Sequence, residues 1–288
     1  MSALYKKIDF EQELNLGRKA YDDLVGQWWY RQSVNSAHLK AYRTIVKHAR
    51  SLFDKDPKVI IDYGCGPGHV LTRLYKSFPK SEIIGLDGSS RMLELTERRL
   101  QQIGGDFDKR VLLVETDLPN FSLSLPKADM LVFVFPNIVV RGDDQPYYDA
   151  HGYRKRKDRA VAKYLAHARE KDPEEETVVD EPEVLLDSLL TAKVISRNLR
   201  KLLRRGGACL RAEYSNADRS ELTKLVQHRQ AFEEGSLKKS LRGTKPKRLF
   251  KLLYSRYYRS KVIEDVYHQT RDESDKTGGY FLNGLKAV

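Results

Sequence analysis

Residues 59–74, VIIDYGCGPGHVLTRL, constrain the fold more than any other stretch of the sequence. A β-rich apolar run is followed by glycines at 64, 66 and 68, then by apolar residues at helical spacing. A strand that passes into a helix through closely spaced glycines opens a parallel α/β unit. Without Cβ atoms the turn lets a ligand approach the backbone closely. The helix N-terminus behind it offers unsatisfied N–H groups and a positive dipole end.

The flanking sequence repeats this alternation. EIIGLDG, RVLLVETD and ADMLVFVFPN are short apolar runs that end in Gly, Asp or Asn, and helical stretches such as Val70–Ser77 and Ser90–Gln102 lie between strands. Continuous apolar strands alternating with helices predict a parallel sheet covered on both faces. A fifth strand, ACLRAEYS, follows a turn at Arg204–Gly207. KVIEDVYHQTRD and GGYFLNGLKAV then read as strands joined by Glu273–Thr277. That link is too short for a crossover helix, so the pair is predicted to be antiparallel. The expected fold is α/β: a Rossmann-like seven-stranded sheet, with five parallel strands and a C-terminal antiparallel hairpin.

Helical spacing over about residues 9–53, as at Tyr21, Leu24 and Trp28, predicts a helical N-terminal segment over residues 1–53. Residues 54–288 form the main domain in this reading. The fourth and fifth strands are separated by Arg141–Gly206, longer than an ordinary connection. Its acidic, Pro-punctuated REKDPEEETVVDEPE and a long helix at Glu183–Leu203 predict a helical insertion at about 141–190.

Lys+Arg number 52 against 40 Asp+Glu, a formal charge of +12. Ten of these bases and no acid fall between Ser236 and Ile263. Within that segment KPKRLFKLLYSRYYR places Leu249, Leu252, Leu253 and Tyr257 at helical spacing, which predicts a docked amphipathic helix with solvated bases. The alternative role is binding to polyanions such as RNA. The apolar run Met130–Val140 is too short to span a bilayer, and two cysteines supply neither a disulfide framework nor a zinc site. No metal is expected, and the expected location is the cytoplasm.

Asp87 ends the second strand, 19 positions beyond Gly68, where an acid accepts hydrogen bonds from ribose hydroxyls. A nicotinamide site calls for G-x-G-x-x-G. This chain has G-x-G-x-G preceded by Asp62, which repels a pyrophosphate and suits a ligand with a cationic amine. The glycine spacing, Asp62 and the closing hairpin resemble the class I S-adenosylmethionine-dependent methyltransferases.

The resemblance implies S-adenosyl-L-methionine as cofactor. Asp62, Tyr63, Gly64, Cys65, Gly66, Pro67 and Gly68 then hold its methionine part, and Asp87 its ribose, with Gly88 and Met92 beside the adenine. Asp117 recognises the adenine amine, with Leu118 alongside. Phe135 contacts the cofactor and Asn137 the substrate, while Tyr30 and Arg31 of QWWYRQS close over the sulfonium and its carboxylate. Beyond the fourth strand, Tyr147 and Tyr148 are candidate substrate contacts and His151 a candidate general base.

The fourth strand ends in Phe-Pro-Asn-Ile, not the motif usual for enzymes that methylate exocyclic base amines. Neither cysteine stands where cytosine-C5 enzymes place their nucleophile. The implied activity is methyl transfer to an O or N of a small-molecule substrate. The alternatives are RNA or protein methylation using segment 236–263, and cofactor binding without turnover.

Overall fold

A computed structural model describes residues 22, 24–116, 118, 124–135, 197–215, 249–260 and 279–288. Helices α1 (Leu24–Ser33) and α2 (Ser36–Ser51) precede β1 (Val59–Tyr63). There follow α3 (His69–Ser77), β2 (Glu82–Asp87), α4 (Ser90–Ile103), the single turn α5 (Phe107–Arg110) and β3 (Val111–Glu115). The remaining strands are β4 (Ala128–Val134), β5 (Leu203–Ser215), β6 (Phe250–Arg259) and β7 (Gly279–Ala287).

The sheet order is β3-β2-β1-β4-β5-β7-β6. β1 pairs in parallel with β2 and β4, β2 with β3, and β4 with β5. β7 lies antiparallel between β5 and β6. This is the Rossmann-like seven-stranded sheet expected from the sequence. The strand order reverses between β1 and β4, and in such sheets ligands bind at the carboxyl ends of the strands at that reversal. The glycine turn stands there.

Alternation along the buried strands builds two cores. Ile60, Val132, Leu210 and Leu282 face α2 and α3, which contribute Ala41, Ile45, Leu71, Leu74 and Phe78. Ile61, Leu131, Cys209 and Leu285 face the other way, onto Leu199 and Leu202 of a helical stretch at 197–202. α2 starts cleanly because the Asn35 side chain accepts from the His38 N–H at 2.9 Å. Its apolar stripe Ala41, Tyr42, Ile45, Val46, Ala49 is buried.

Three expectations are corrected. The described part of the basic segment is not a helix: FKLLYSRYYR supplies β6, the edge strand, and residues 236–248 lie outside the described residues. Consequently the sixth strand is not KVIEDVYHQTRD, and the link to β7 spans residues 260–278 instead of Glu273–Thr277. Residues 261–272 lie outside the described residues. Burial on both sides of the strand overrides the helical spacing. Phe250 is buried in the second core, while Tyr254 and Tyr258 pack beneath α2, where His48 Nε2 stands 2.5 Å from the Tyr258 hydroxyl. A bulge between Leu252 and Tyr254 turns Leu253 out to 45% exposure.

The expected Arg204–Gly207 turn is likewise part of β5. Residues 204–207 bulge against Asp129 alone, between the pairs Leu203–Ala128 and Ala208–Met130. Asp129 accepts from the Val59 N–H at 2.9 Å and pairs with Arg204 at 2.6 Å. The insertion predicted at 141–190 lies outside the described residues, as do residues 1–21.

The strand reading makes a direct prediction. Phe250→Ala should destabilise the chain by about 3–5 kcal/mol, the cost of emptying a buried aromatic site. Leu253→Asp should be nearly neutral. Chemical denaturation of both variants checks this, and the reverse ranking would restore the helix.

Candidate functional site

β1 delivers the chain to the turn with Asp62 buried at 1% exposure and Tyr63 at its end. The Gly64 and Cys65 N–H groups both donate to the Leu86 carbonyl, at 2.8 and 2.9 Å, which pins the turn to β2. The Gly66 N–H donates to Asp87 Oδ2 at 2.8 Å, and Thr96 Oγ1 donates to the Gly66 carbonyl at 2.7 Å. Asp87 is thereby drawn against the turn from the end of β2. Its other oxygen accepts from the Ser89 N–H at 3.0 Å.

The glycines at 66 and 68 do different work. Both have positive φ, +52° and +77°. A Cβ built on Gly66 meets nothing within 4 Å, so its face is open to a ligand. A Cβ on Gly68 falls 2.8 Å from two side-chain atoms of Thr96 and 3.0 Å from its Cα. Gly68 therefore permits α4 to pack against the turn.

The electrostatics are those of two acids waiting for a cation. Asp62 Oδ2 is buried and has no hydrogen-bond partner. Burial, reinforced by the nearby Asp87, pushes the Asp62 carboxyl up to about 8. Burial also raises Asp87, to about 6, against the opposing pull of the backbone N–H groups of Ser89, Gly66 and Gly88. A ligand bringing a positive amine to Asp62 and hydroxyl donors to Asp87 meets both needs. S-adenosylmethionine carries both, so the residues present fit that cofactor.

Several of the other expected positions are among the described residues. Met92 is buried on α4, whose first turn is capped by Ser89 Oγ accepting from the Met92 N–H at 3.2 Å. Gly88 is half-buried beside Asp87. Leu118 is buried, with its Cδ1 3.6 Å from the Gly64 Cβ position, and its carbonyl accepts from the Tyr63 hydroxyl and from Asn198 Nδ2. Tyr63 thus turns its ring into the second core and props Leu118 from behind. Cys65 is buried in the first core, and burial raises its thiol well above the usual range. The Pro67 carbonyl accepts from Arg99 Nε at 3.0 Å.

Phe135, the residue after β4, takes φ +49°. Its ring meets His38 and Tyr280 edge-on, at 5.7 and 5.5 Å, and Tyr42 at 6.1 Å. Tyr30 and Arg31 are exposed on α1, and contact with the turn comes from Ser33, whose Oγ stands 3.0 Å from His69 Nε2. Asp117, Asn137, Tyr147, Tyr148 and His151 lie outside the described residues.

Sequence reasoning missed His38, Tyr42, His69, Arg73 and Arg99. His69 opens α3 at 3% exposure, with the Tyr42 ring stacked on it at 5.4 Å and 9°. Burial lowers its imidazole to about 3, helped by Arg99 and Arg73. His38 is lowered to about 4 by burial, and Asn35 Oδ1 accepts from its Nδ1 at 2.9 Å. Both rings are neutral at physiological pH. The stripe His38, Tyr42, Ile45 at helical spacing was the available signal, and it reads as ordinary core.

Among the described residues no three His, Cys, Asp or Glu side chains gather to hold a metal ion. No described helix is long and apolar enough to cross a membrane.

Comparison with known proteins agrees with the geometry. Residues 54–253 match the sequence family described as a methyltransferase domain. Trans-aconitate 2-methyltransferase of Methylobacterium radiotolerans is 45% identical over 47 residues, which is 16% of this chain and 18% of that protein. Malonyl-[acyl-carrier protein] O-methyltransferase of Halalkalibacterium halodurans is 29% identical over 91 residues, 32% of each. These matches span less than a third of either relative. The N-methyltransferase NodS of Bradyrhizobium japonicum, solved with S-adenosyl-L-homocysteine, shares the fold over 99% of both chains, with a TM-score of 0.51 at 10% identity. The chain belongs to the methyltransferase-domain family and has the fold of the class I S-adenosylmethionine-dependent methyltransferases.

Proposed function

We propose that this chain transfers the methyl group of S-adenosylmethionine to an O or N of a small-molecule substrate. The observation that carries the reading is the buried, unpartnered Asp62 oxygen beside the open backbone of Gly66, with Asp87 bound to the same glycine. When bound, the cofactor supplies a sulfonium methyl already activated for transfer. The chain's own residues then bind and orient. Asp62 meets the ammonium, Asp87 accepts from the ribose hydroxyls, and the Gly66 backbone admits the ligand. Asp117 is assigned to the adenine amine.

The substrate class draws support from the rings that α2 brings over the end of β4. His38, Tyr42, Phe135 and Tyr280 are all buried, with Phe135 in contact with the other three, a wall suited to a small acceptor held away from water. Residues 1–53 serve as a lid in this reading, and 141–190 as an insertion above the acceptor. Asn137, Tyr147 and Tyr148 contact the acceptor. His151 takes its proton where the acceptor arrives protonated. The relative named for trans-aconitate supports a small-molecule acceptor, and the one named malonyl-[acyl-carrier protein] O-methyltransferase an acceptor oxygen.

Two measurements test the proposal. Asp87→Ala should weaken S-adenosylmethionine binding by roughly 1.5–3 kcal/mol, about 10- to 150-fold, through loss of charge-assisted hydrogen bonds. An unchanged calorimetric affinity would remove Asp87 from the site. Labelled methyl groups from the cofactor should enter the small-molecule fraction of a cell extract. Label found in RNA or protein instead overturns the substrate class.

A further inference from the structure

Four arginines are matched by an acid among the described residues. Arg50 pairs with Asp56 at 3.6 Å, Arg91 with Glu94 at 2.9 Å and Arg204 with Asp129 at 2.6 Å, and Arg211 pairs with Glu213. Arg43 of α2, Arg73 of α3 and Arg99 of α4 form no ion pair among the described residues. Two of them meet on one residue beside the glycine turn. Arg73 Nη1 donates to the His69 carbonyl at 2.6 Å, and Arg99 Nη2 reaches His69 Nε2 at 3.3 Å. Arg43 follows Tyr42, whose ring stacks on His69.

Like charges gather this way at a cost. Arg73 and Arg99 are half-buried, and Arg73 is held below the ordinary arginine range by burial and by the fields of Arg43 and Arg99. Each guanidinium has five N–H donors, and the backbone contacts of Arg73 and Arg99 use only some. His69 adds a polar atom in need of a partner: its Nδ1 is buried and unbonded, while Nε2 lies 3.3 Å from Arg99 Nη2 and 3.0 Å from Ser33 Oγ. Planar guanidinium forks suit carboxylate and phosphate groups.

We propose that Arg43, Arg73 and Arg99 form an anion site beside the glycine turn that takes a carboxylate or phosphate group of the methyl acceptor. This rests on the small-molecule reading and gives that acceptor a charge.

The test uses the full chain at low ionic strength, with inorganic phosphate and tricarballylate as probes in a calorimetric titration and chloride as control. Saturable binding is expected, weakened at least tenfold in Arg43→Gln and in Arg73→Gln and unchanged in Arg91→Gln. Arg43 is exposed, so its variant keeps the test alive if Arg73→Gln misfolds. Binding should persist when S-adenosylhomocysteine saturates the cofactor site. Competition by S-adenosylhomocysteine would mean that the arginines hold the cofactor's own carboxylate, and would overturn the proposal. So would binding no tighter than chloride, or equal binding by the Arg43→Gln variant. Failure of S-adenosylmethionine to bind at all is read in a separate titration and refutes the cofactor reading instead.

Discussion

Gly66→Asn should leave a folded chain whose affinity for S-adenosylmethionine falls at least 100-fold, whereas Gly68→Ala should damage the fold itself. The difference follows from what surrounds each glycine. At Gly66 an added Cβ meets nothing within 4 Å. The backbone there has φ +52°, a conformation that asparagine adopts at small cost. The new side chain then occupies space that a ligand close to the backbone needs. At Gly68, φ +77° costs alanine roughly 1–2 kcal/mol. In addition its Cβ meets the Thr96 side chain at 2.8 Å and the Thr96 Cα at 3.0 Å. Relief requires α4 to move, and with it the Thr96 and Arg99 hydrogen bonds to the turn. Calorimetry for binding and thermal melting for stability separate the two. A Gly66→Asn variant that binds normally would place the ligand elsewhere.

The sheet was legible where local and global requirements agree. VIIDY, EIIGLD and ADMLVFV lie in the buried middle of a parallel sheet, so they are mostly apolar. β6 hid because it is an edge strand. Lys251, Arg256 and Arg259 are exposed, the bulge at Leu252/Tyr254 breaks the two-residue period, and the remaining apolar residues fall at helical spacing by chance. The antiparallel pairing of the last strands was nevertheless correct, although the connector that suggested it was not the real one.

The site divides along the same line. Asp62, Gly66 and Asp87 stand out in the sequence because turn geometry and ligand chemistry both limit what those positions hold. His38, Tyr42 and His69 do not, because a helix that buries aromatic residues looks the same whether it covers a core or a ligand. The Arg43, Arg73 and Arg99 trio comes from three helices and has no signature in any one of them.

Asp62→Asn should abolish cofactor binding while making the chain more stable at neutral and alkaline pH. In the unfolded chain this carboxyl ionises near its ordinary value of about 4, and in the folded chain not until about 8. Between those limits the folded state holds one proton more than the unfolded state, so stability falls as pH rises. The Asp62 contribution is least unfavourable below about pH 4 and most unfavourable above about pH 8. Asp87 acts in the same direction over a narrower window, up to about 6. Asparagine cannot ionise, so the variant loses the larger part of this dependence. Its Tm should exceed that of the parent at pH 8 by several degrees, since each kcal/mol is worth roughly 2–4 °C in a chain of this size. The two should converge as the pH approaches about 4. The same burial couples cofactor binding to ionisation. The ammonium of S-adenosylmethionine stabilises the Asp62 carboxylate, so binding below pH 8 should release close to one proton. For each proton released, the calorimetric heat then differs between phosphate and Tris buffers by the difference between the two buffers' ionisation enthalpies. Equal heats in both buffers, with no gain in Tm for Asp62→Asn, would show that Asp62 is already ionised in the empty site and has a partner there.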